Sequence, residues 1–180
     1  VGAAFAVWNL FLKKPRSFVW PHAFWGPEYS DSRIETFLTQ KNARAFKYEK
    51  TERLYKVASL LAEGKVIGWF AGREEFGPRA LGNRSILADP RRSEMKDIVN
   101  AKIKFRESFR PFAPSVLFER NQKYFDFADE SPYMLLTAPA KNSDLPAVTH
   151  VDGTARLQTV RREQNPFFYD LIAEFEKKTG

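Results

Sequence analysis

The sequence predicts an α/β (α+β) fold, and three observations carry that reading. Apolar residues at helical spacing recur near 51–63, 93–103 and 165–177. Short β-rich apolar runs at 65–70, 85–88, 115–118 and 155–160 fall between or after them. Gly, Pro and Asp-Pro punctuation separates the two kinds of segment. Alternation of this type argues for a mixed sheet with helices packed against it.

Residues 1–12 are small and apolar and read as a helix, the end of an element whose partners lie elsewhere. Residues 13–33 carry Pro15, Trp20, Pro21, Trp25 and Pro27 and read as an irregular connector, aromatic enough to pack on a surface. Ser30 or Asp31 caps a short helix bearing Ile34, Phe37 and Leu38. Thr51 is the expected N-cap of a clearer helix in which Leu54, Val57, Ala58 and Leu61 share a face and Gly64 is the stop. The strand 65–70 leads into a Gly/Pro/Arg loop and a second strand at 85–88. After Asp89-Pro90, Ser93 starts a helix with Met95, Ile98, Val99 and Ile103 on its apolar side. Strands are expected at 115–118, 133–138, 147–150 and 155–160, with a short helix or turn at 121–127. Asn165-Pro166 is a strong helix start, and Phe168, Leu171, Ile172 and Phe175 supply the stripe behind it.

The composition narrows the function. At 180 residues, 43% of them hydrophobic and 17 of them Phe, the chain can bury a real core. It has no cysteine, which excludes disulfides and thiolate metal sites, and its two histidines leave little for a metal centre. No apolar run approaches the roughly 20 residues of a membrane span, and no secretory signal is visible, so a cytoplasmic protein is expected. The net charge of +7 points to an anionic partner: a nucleotide, a phosphorylated metabolite or nucleic acid.

Much of that charge lies in two stretches. The run from Gly72 to Ser85 contains Arg73, Arg79 and Arg84 among Gly72, Gly77, Pro78 and Gly82. Its glycines permit unusual backbone angles, so main-chain N–H groups can approach a ligand, and arginines beside them suit phosphate or carboxylate. In the second run, Lys104, Arg106 and Arg110 alternate with Phe105, Phe109 and Phe112. A solvated turn is the plainer reading of the Gly/Arg loop taken alone, but cations and aromatics alternating as tightly as in the second run are unusual for a merely solvated face. Arg106 and Arg110, four apart, would also share a helix face and could pair with Glu107 or Glu75.

These residues also carry a resemblance. The stretch Glu75 to Leu87, Asn100 to Glu107, Phe109 to Pro114 and His150 to Val160 closely resemble the O-carbamoyltransferase family, which acts on nodulation factors, cephalosporin-type antibiotics and aminoglycosides. The likeness covers roughly residues 26–180. It implies a YrdC-like domain over 34–180: a twisted mixed β-sheet flanked by helices, with a basic concave pocket. Residues 1–12 would be the tail of an N-terminal actin/hexokinase-like (Kae-like) domain and 13–33 its connector. Family members continue beyond the equivalent of Gly180 into an Asn-Thr-Ser-Phe-Asn-like segment, so part of the sheet or pocket is expected there. The implied activity is that of a domain binding carbamoyl phosphate and ATP, with Mg²⁺, and forming carbamoyl adenylate. A partner domain with an iron-type metal then passes the carbamoyl group to a hydroxyl.

Resemblance and chemistry together assign Arg79, Arg106 and Arg110 as catalytic, charge-stabilising residues. They assign Arg73, Asn83, Arg84, Ser85, Lys104, His150, Asp152 and Arg156 to ATP or substrate binding, and no residue to a metal. The bland alternatives stay beside these. Asn83 can serve the loop alone, His150 can be a satisfied core imidazole, and Asp152-Gly153 makes an ordinary hairpin turn. Trp69, Phe70 and Phe76 read as core, or one of them as a stacking partner for adenine. The competing functional class is a basic YrdC-like module that binds RNA through interleaved cations and aromatics; another is a docking domain with no ligand of its own.

Overall fold

In a computed structural model that describes residues 1–180, six helices and six short strands form an α+β fold with both parallel and antiparallel pairing. The helices are α1 (Gly2–Ala6, continued as a π-helical turn Val7–Phe11), α2 (Asp31–Gln40), α3 (Lys50–Ala62), α4 (Met95–Val99, continued as a π-helical turn Asn100–Lys104), α5 (Asn121–Tyr124) and α6 (Pro166–Thr179). The strands are β1 (Ile67–Phe70), β2 (Arg84–Leu87), β3 (Ser115–Leu117), β4 (Thr137–Pro139), β5 (Thr154–Arg156) and β6 (Gln158–Val160). They pair two by two. β1 and β2 are antiparallel with Ile67 opposite Leu87, β4 and β5 are antiparallel with Thr137 opposite Arg156, and β3 and β6 are parallel with Ser115 opposite Gln158.

Most starts and stops follow local chemistry. The Ser30 hydroxyl accepts from the Arg33 N–H and caps α2, and Asn165 Oδ1 accepts from the Phe168 N–H above Pro166 at the head of α6. Gly64 ends α3 at φ 84°.

Five expectations are corrected. Helix α3 begins at Lys50 with Glu49 at the cap position, so Thr51 lies inside the first turn and caps nothing. Helix α4 begins at Met95, and the Ser93 hydroxyl turns to the Glu94 carboxylate instead of capping; Ile103, on the widened π turn, rotates out into solvent. The stretch 133–138 is strand only from Thr137, because Met134 takes left-handed φ 52° and breaks the extension. Residues 147–150 form no strand: the Val148 and Thr149 N–H groups both turn back to the Leu145 carbonyl, leaving β5 to begin at Thr154. The single run 155–160 is cut at the fully buried Leu157, where the chain changes partner from β4 to β3.

Two cores result. One packs Leu54 and Ala58 of α3 and Trp69 of β1 against Val160, Phe168 and Leu171, so α3 and α6 lie face to face over β1. The other gathers Val116, Phe125, Ala138, Ala155 and Leu157 around the two remaining strand pairs. The connector is packed, as its aromatics suggest: Trp20 meets Trp25 and Phe76, and the Tyr133 hydroxyl donates to the Trp20 carbonyl at 2.6 Å. No helix is long and apolar enough to cross a membrane.

Gly82 marks where the Arg-rich loop meets α6. It sits at φ 105°, and a Cβ there would drive into the Phe168 ring. Gly82→Ala combines strain with overpacking and should cost at least about 3 kcal/mol. Thermal unfolding checks this; an unchanged melting temperature would mean the loop does not seat on α6 as described.

Candidate functional site: a basic cleft

The Arg-rich loop between β1 and β2 is organised from within by one carboxylate. Glu75 is buried, and its Oε1 accepts from three main-chain N–H groups: Leu81 at 2.7 Å, Asn83 at 2.9 Å and Arg84 at 3.2 Å. The N–H cradle that such a loop could turn toward an outside anion is therefore occupied by the chain's own side chain. Distant segments then clamp the loop. Trp69 Nε1 donates to the Gly82 carbonyl, Gln158 Nε2 to the Leu81 carbonyl, and Asn165 Nδ2 to Asn83 Oδ1, each at 2.9 Å.

Four of the eleven residues singled out from the sequence serve this framework. Asn83 is buried and its Nδ2 donates to the Arg73 carbonyl at 2.7 Å. Ser85 Oγ accepts from the Gly82 N–H. Arg84 donates to the carbonyls of Ala71, Asn83, Gly72 and Pro27, and its guanidinium lies 3.6 Å over the Phe70 ring. Arg73 reaches the Gly26 and Trp25 carbonyls of the connector. A guanidinium carries five donors in a fixed fork, so it can tie several strained carbonyls together as readily as it binds phosphate.

Arg79, Lys104, Arg106 and Arg156 come together instead on a cleft of about 690 Å³. The cleft runs between α4, the segment 111–117, α5 and one face of α6, with Val99, Phe112, Val116 and Ile172 among its apolar walls. Eight Lys/Arg line it against three Asp/Glu, so its field is strongly positive. Two of those acids, Asp89 and Glu176, are already paired, to Arg91 and Arg120. Arg79, Lys104 and Arg156 enter no ion pair. Arg156 is the most exposed to this imbalance: its Nε is buried without a hydrogen-bond acceptor. Burial first, and then the neighbouring Arg79 charge, push its guanidinium below the usual arginine range.

The other three expected residues lie outside the cleft. Arg110 pairs with Glu107 at 2.9 Å, the pairing its spacing allowed. His150 Nδ1 is 3.4 Å from Thr154 Oγ1. Asp152 accepts from the Thr154 N–H at 3.0 Å and hydroxyl at 2.8 Å, which closes the turn before β5. Trp69 is core, stacked on Phe167, while Phe70 and Phe76 face Arg84 and Trp20. Lys96, Arg91, Arg120 and Lys123 also line the cleft and were not picked out from the sequence. Arg120 and Lys123 stand three apart, a spacing that shares a helical face and could have signalled them.

Two outcomes test this geometry. Glu75→Ala strands three main-chain donors, at about 1 kcal/mol or more each, and should lower the melting temperature by roughly 10 °C, with Glu75→Gln recovering most of it. NMR titration should place Asp152 below the usual aspartate range, since the Thr154 hydroxyl and then its N–H favour the charged form. The turn's small contribution to stability is thus present above the ordinary aspartate pKa and fades as pH falls through the lower folded value. Thr154→Val should raise that pKa; no change would remove the hydroxyl as its cause.

Comparison with known proteins places the chain. An uncharacterized protein of Synechocystis sp. is 44% identical across 99% of this chain and 34% of its own length. The nodulation protein NolO of Bradyrhizobium diazoefficiens is 45% identical across 89% of this chain and 30% of its own. The 3'-hydroxymethylcephem-O-carbamoyltransferase of Amycolatopsis lactamdurans is 45% identical across 69% and 24%. The chain thus spans about a third or less of the length of these relatives. Residues 58–180, which hold the Glu75-centred loop and every wall of the cleft, match the family described as Carbamoyltransferase C-terminus, and the chain belongs to that family.

Proposed function

We propose that the basic cleft binds carbamoyl phosphate and ATP and forms carbamoyl adenylate, as the donor-activating part of an O-carbamoyltransferase. The observation that carries this reading is the uncompensated charge of Arg79, Lys104 and Arg156, with the Arg156 Nε buried and unpartnered beside Arg79. A phosphate or carbamate oxygen would supply the missing acceptor and relieve the repulsion between the two guanidinium groups.

In this reaction carbamoyl phosphate loses its phosphoryl group to water, giving carbamate and inorganic phosphate. A carbamate oxygen then attacks the α-phosphorus of ATP, the bond to the β-phosphate oxygen breaks, and pyrophosphate leaves. Three anionic groups converge at that moment, so the protein's task is placement and charge stabilisation. Arg79 and Arg156, close enough to repel one another, are suited to the transferring phosphate, with Lys104 and Arg106 as further cations of the same lining. Val99, Phe112 and Ile172 offer an apolar wall for the nucleobase.

No cluster of three or more His, Asp or Glu could hold a metal ion, so Mg²⁺ would arrive on the nucleotide's own phosphates, where it neutralises charge. Passage of the carbamoyl group to a hydroxyl, with its iron-type metal, is assigned to the N-terminal Kae-like domain of a longer protein.

Calorimetric titration with ATP–Mg²⁺, and separately with carbamoyl phosphate, tests the reading. Arg156→Ala or Arg79→Ala should weaken ATP about tenfold or more, the worth of a charged hydrogen bond. Pyrophosphate release should then require both ligands. Failure of the folded chain to bind either ligand, or binding of single-stranded RNA with a steep salt dependence in their place, would overturn it.

A further inference from the structure

The second basic stretch is held by a residue outside the cleft lining. Asn100 is fully buried at the start of the π-helical turn that ends α4, and it uses every polar atom of its side chain. Its Nδ2 donates to the carbonyls of Ser108 at 3.2 Å and Arg110 at 2.9 Å. Its Oδ1 accepts from Arg106 Nε at 2.7 Å, and its main-chain carbonyl accepts from the Arg106 N–H at 3.1 Å. The amide orientation is forced: two carbonyls on one side need a donor, and a guanidinium on the other needs an acceptor.

The segment so held would not keep this shape unaided. Phe105 takes left-handed φ 49° and is 84% exposed, and Phe109 is also largely exposed. Neither ring contributes burial that would fix the path, so it is held by polar contacts: the hydrogen bonds of Asn100 from the buried side and the exposed Glu107–Arg110 pair from the other. Widened π turns are frequent where a helix is diverted to serve a site.

We propose that Asn100 is the positioning residue of the cleft: it captures Arg106 by Nε alone and so fixes the guanidinium with its terminal nitrogens free to meet an anion. Phe112, 4.8 Å beneath that guanidinium, supports the same pose. The fork is thereby pre-oriented before any ligand arrives, which lowers the ordering cost of binding. The identity of the anion rests on the carbamoyl-adenylate reading; the positioning itself does not.

Asn100→Ala, Asn100→Asp and Arg106→Ala, alone and combined, test this by two measurements. The first is arginine Nε–H exchange by NMR on the ligand-free chain. Arg106 Nε–H should be protected in the parent chain, unprotected in Asn100→Ala, and still protected in Asn100→Asp, which keeps the acceptor. Because Asn100→Asp turns a carboxylate on the Ser108 and Arg110 carbonyls, main-chain exchange over 106–110 should nevertheless quicken. The second measurement is ATP–Mg²⁺ affinity, which Asn100→Ala should weaken about tenfold in the parent chain and hardly at all in the Arg106→Ala background.

Unchanged Nε protection in Asn100→Ala, or equal weakening in both backgrounds, would overturn the proposal. Should Asn100→Ala not fold, the aspartate variant decides, and loss of Arg106 protection or unchanged 106–110 exchange there would overturn it. A parent chain whose Arg106 Nε–H is protected through Asn100, yet binds neither ATP nor carbamoyl phosphate, would uphold the positioning and refute the proposed ligands instead.

Discussion

A single buried carboxylate sets the frame. Glu75 gathers the N–H groups of Leu81, Asn83 and Arg84 on one oxygen, and without it those donors would face the interior unpaired. Closing the loop in this way presents Gly82 to Phe168, the Leu81 carbonyl to Gln158, and Asn83 to the cap residue of α6. Helix α6 is thereby tied to the β1–β2 hairpin at its N-terminal end, and one face along its length, from Phe168 to Thr179, lines the cleft.

The division of labour among the arginines follows from the same closure. Arg84 and Arg73 find carbonyls of the tight loop and the connector, and their charge serves the framework. Arg79, only five residues before Arg84, meets no such acceptor and points its charge at the cleft. Residue type is the same in each case; what differs is whether a distant carbonyl has been brought within reach. A comparable split separates Arg106, held by Asn100, from Arg110, which is neutralised by Glu107.

The strand arrangement serves the cleft as well. Because the chain changes partner at Leu157, β5 carries Arg156 along β4 while β6 locks Gln158 and Val160 against β3 and the α3–α6 core. One turn of extended chain therefore delivers a charged side chain to the cleft and an apolar one to the core. The fully buried Asp89 works elsewhere in the cleft lining. It pairs with Arg91 and lies near Arg92, whose guanidinium groups donate to the Thr179 and Ala62 carbonyls at the ends of α6 and α3.

Much of this was written locally. The α+β class, the connector, the Ser30 and Asn165 caps, the Gly64 stop and the apolar stripes of α3 and α6 follow from spacing and from residues whose preferences act within a few positions. The strong positive field and its concentration near two motifs were equally legible, since charge adds without regard to fold. Tertiary structure alone decided which cations are free. Nothing near Arg156 in sequence reveals that its Nε is buried without an acceptor, and nothing near Arg84 reveals carbonyls 12, 13 and 57 positions away. The main-chain cradle was likewise claimed by Glu75, a competitor that spacing does not rank against an outside anion. Local propensity acts over one turn of chain, whereas pairing of a buried charge depends on groups that only folding brings within about 3 Å.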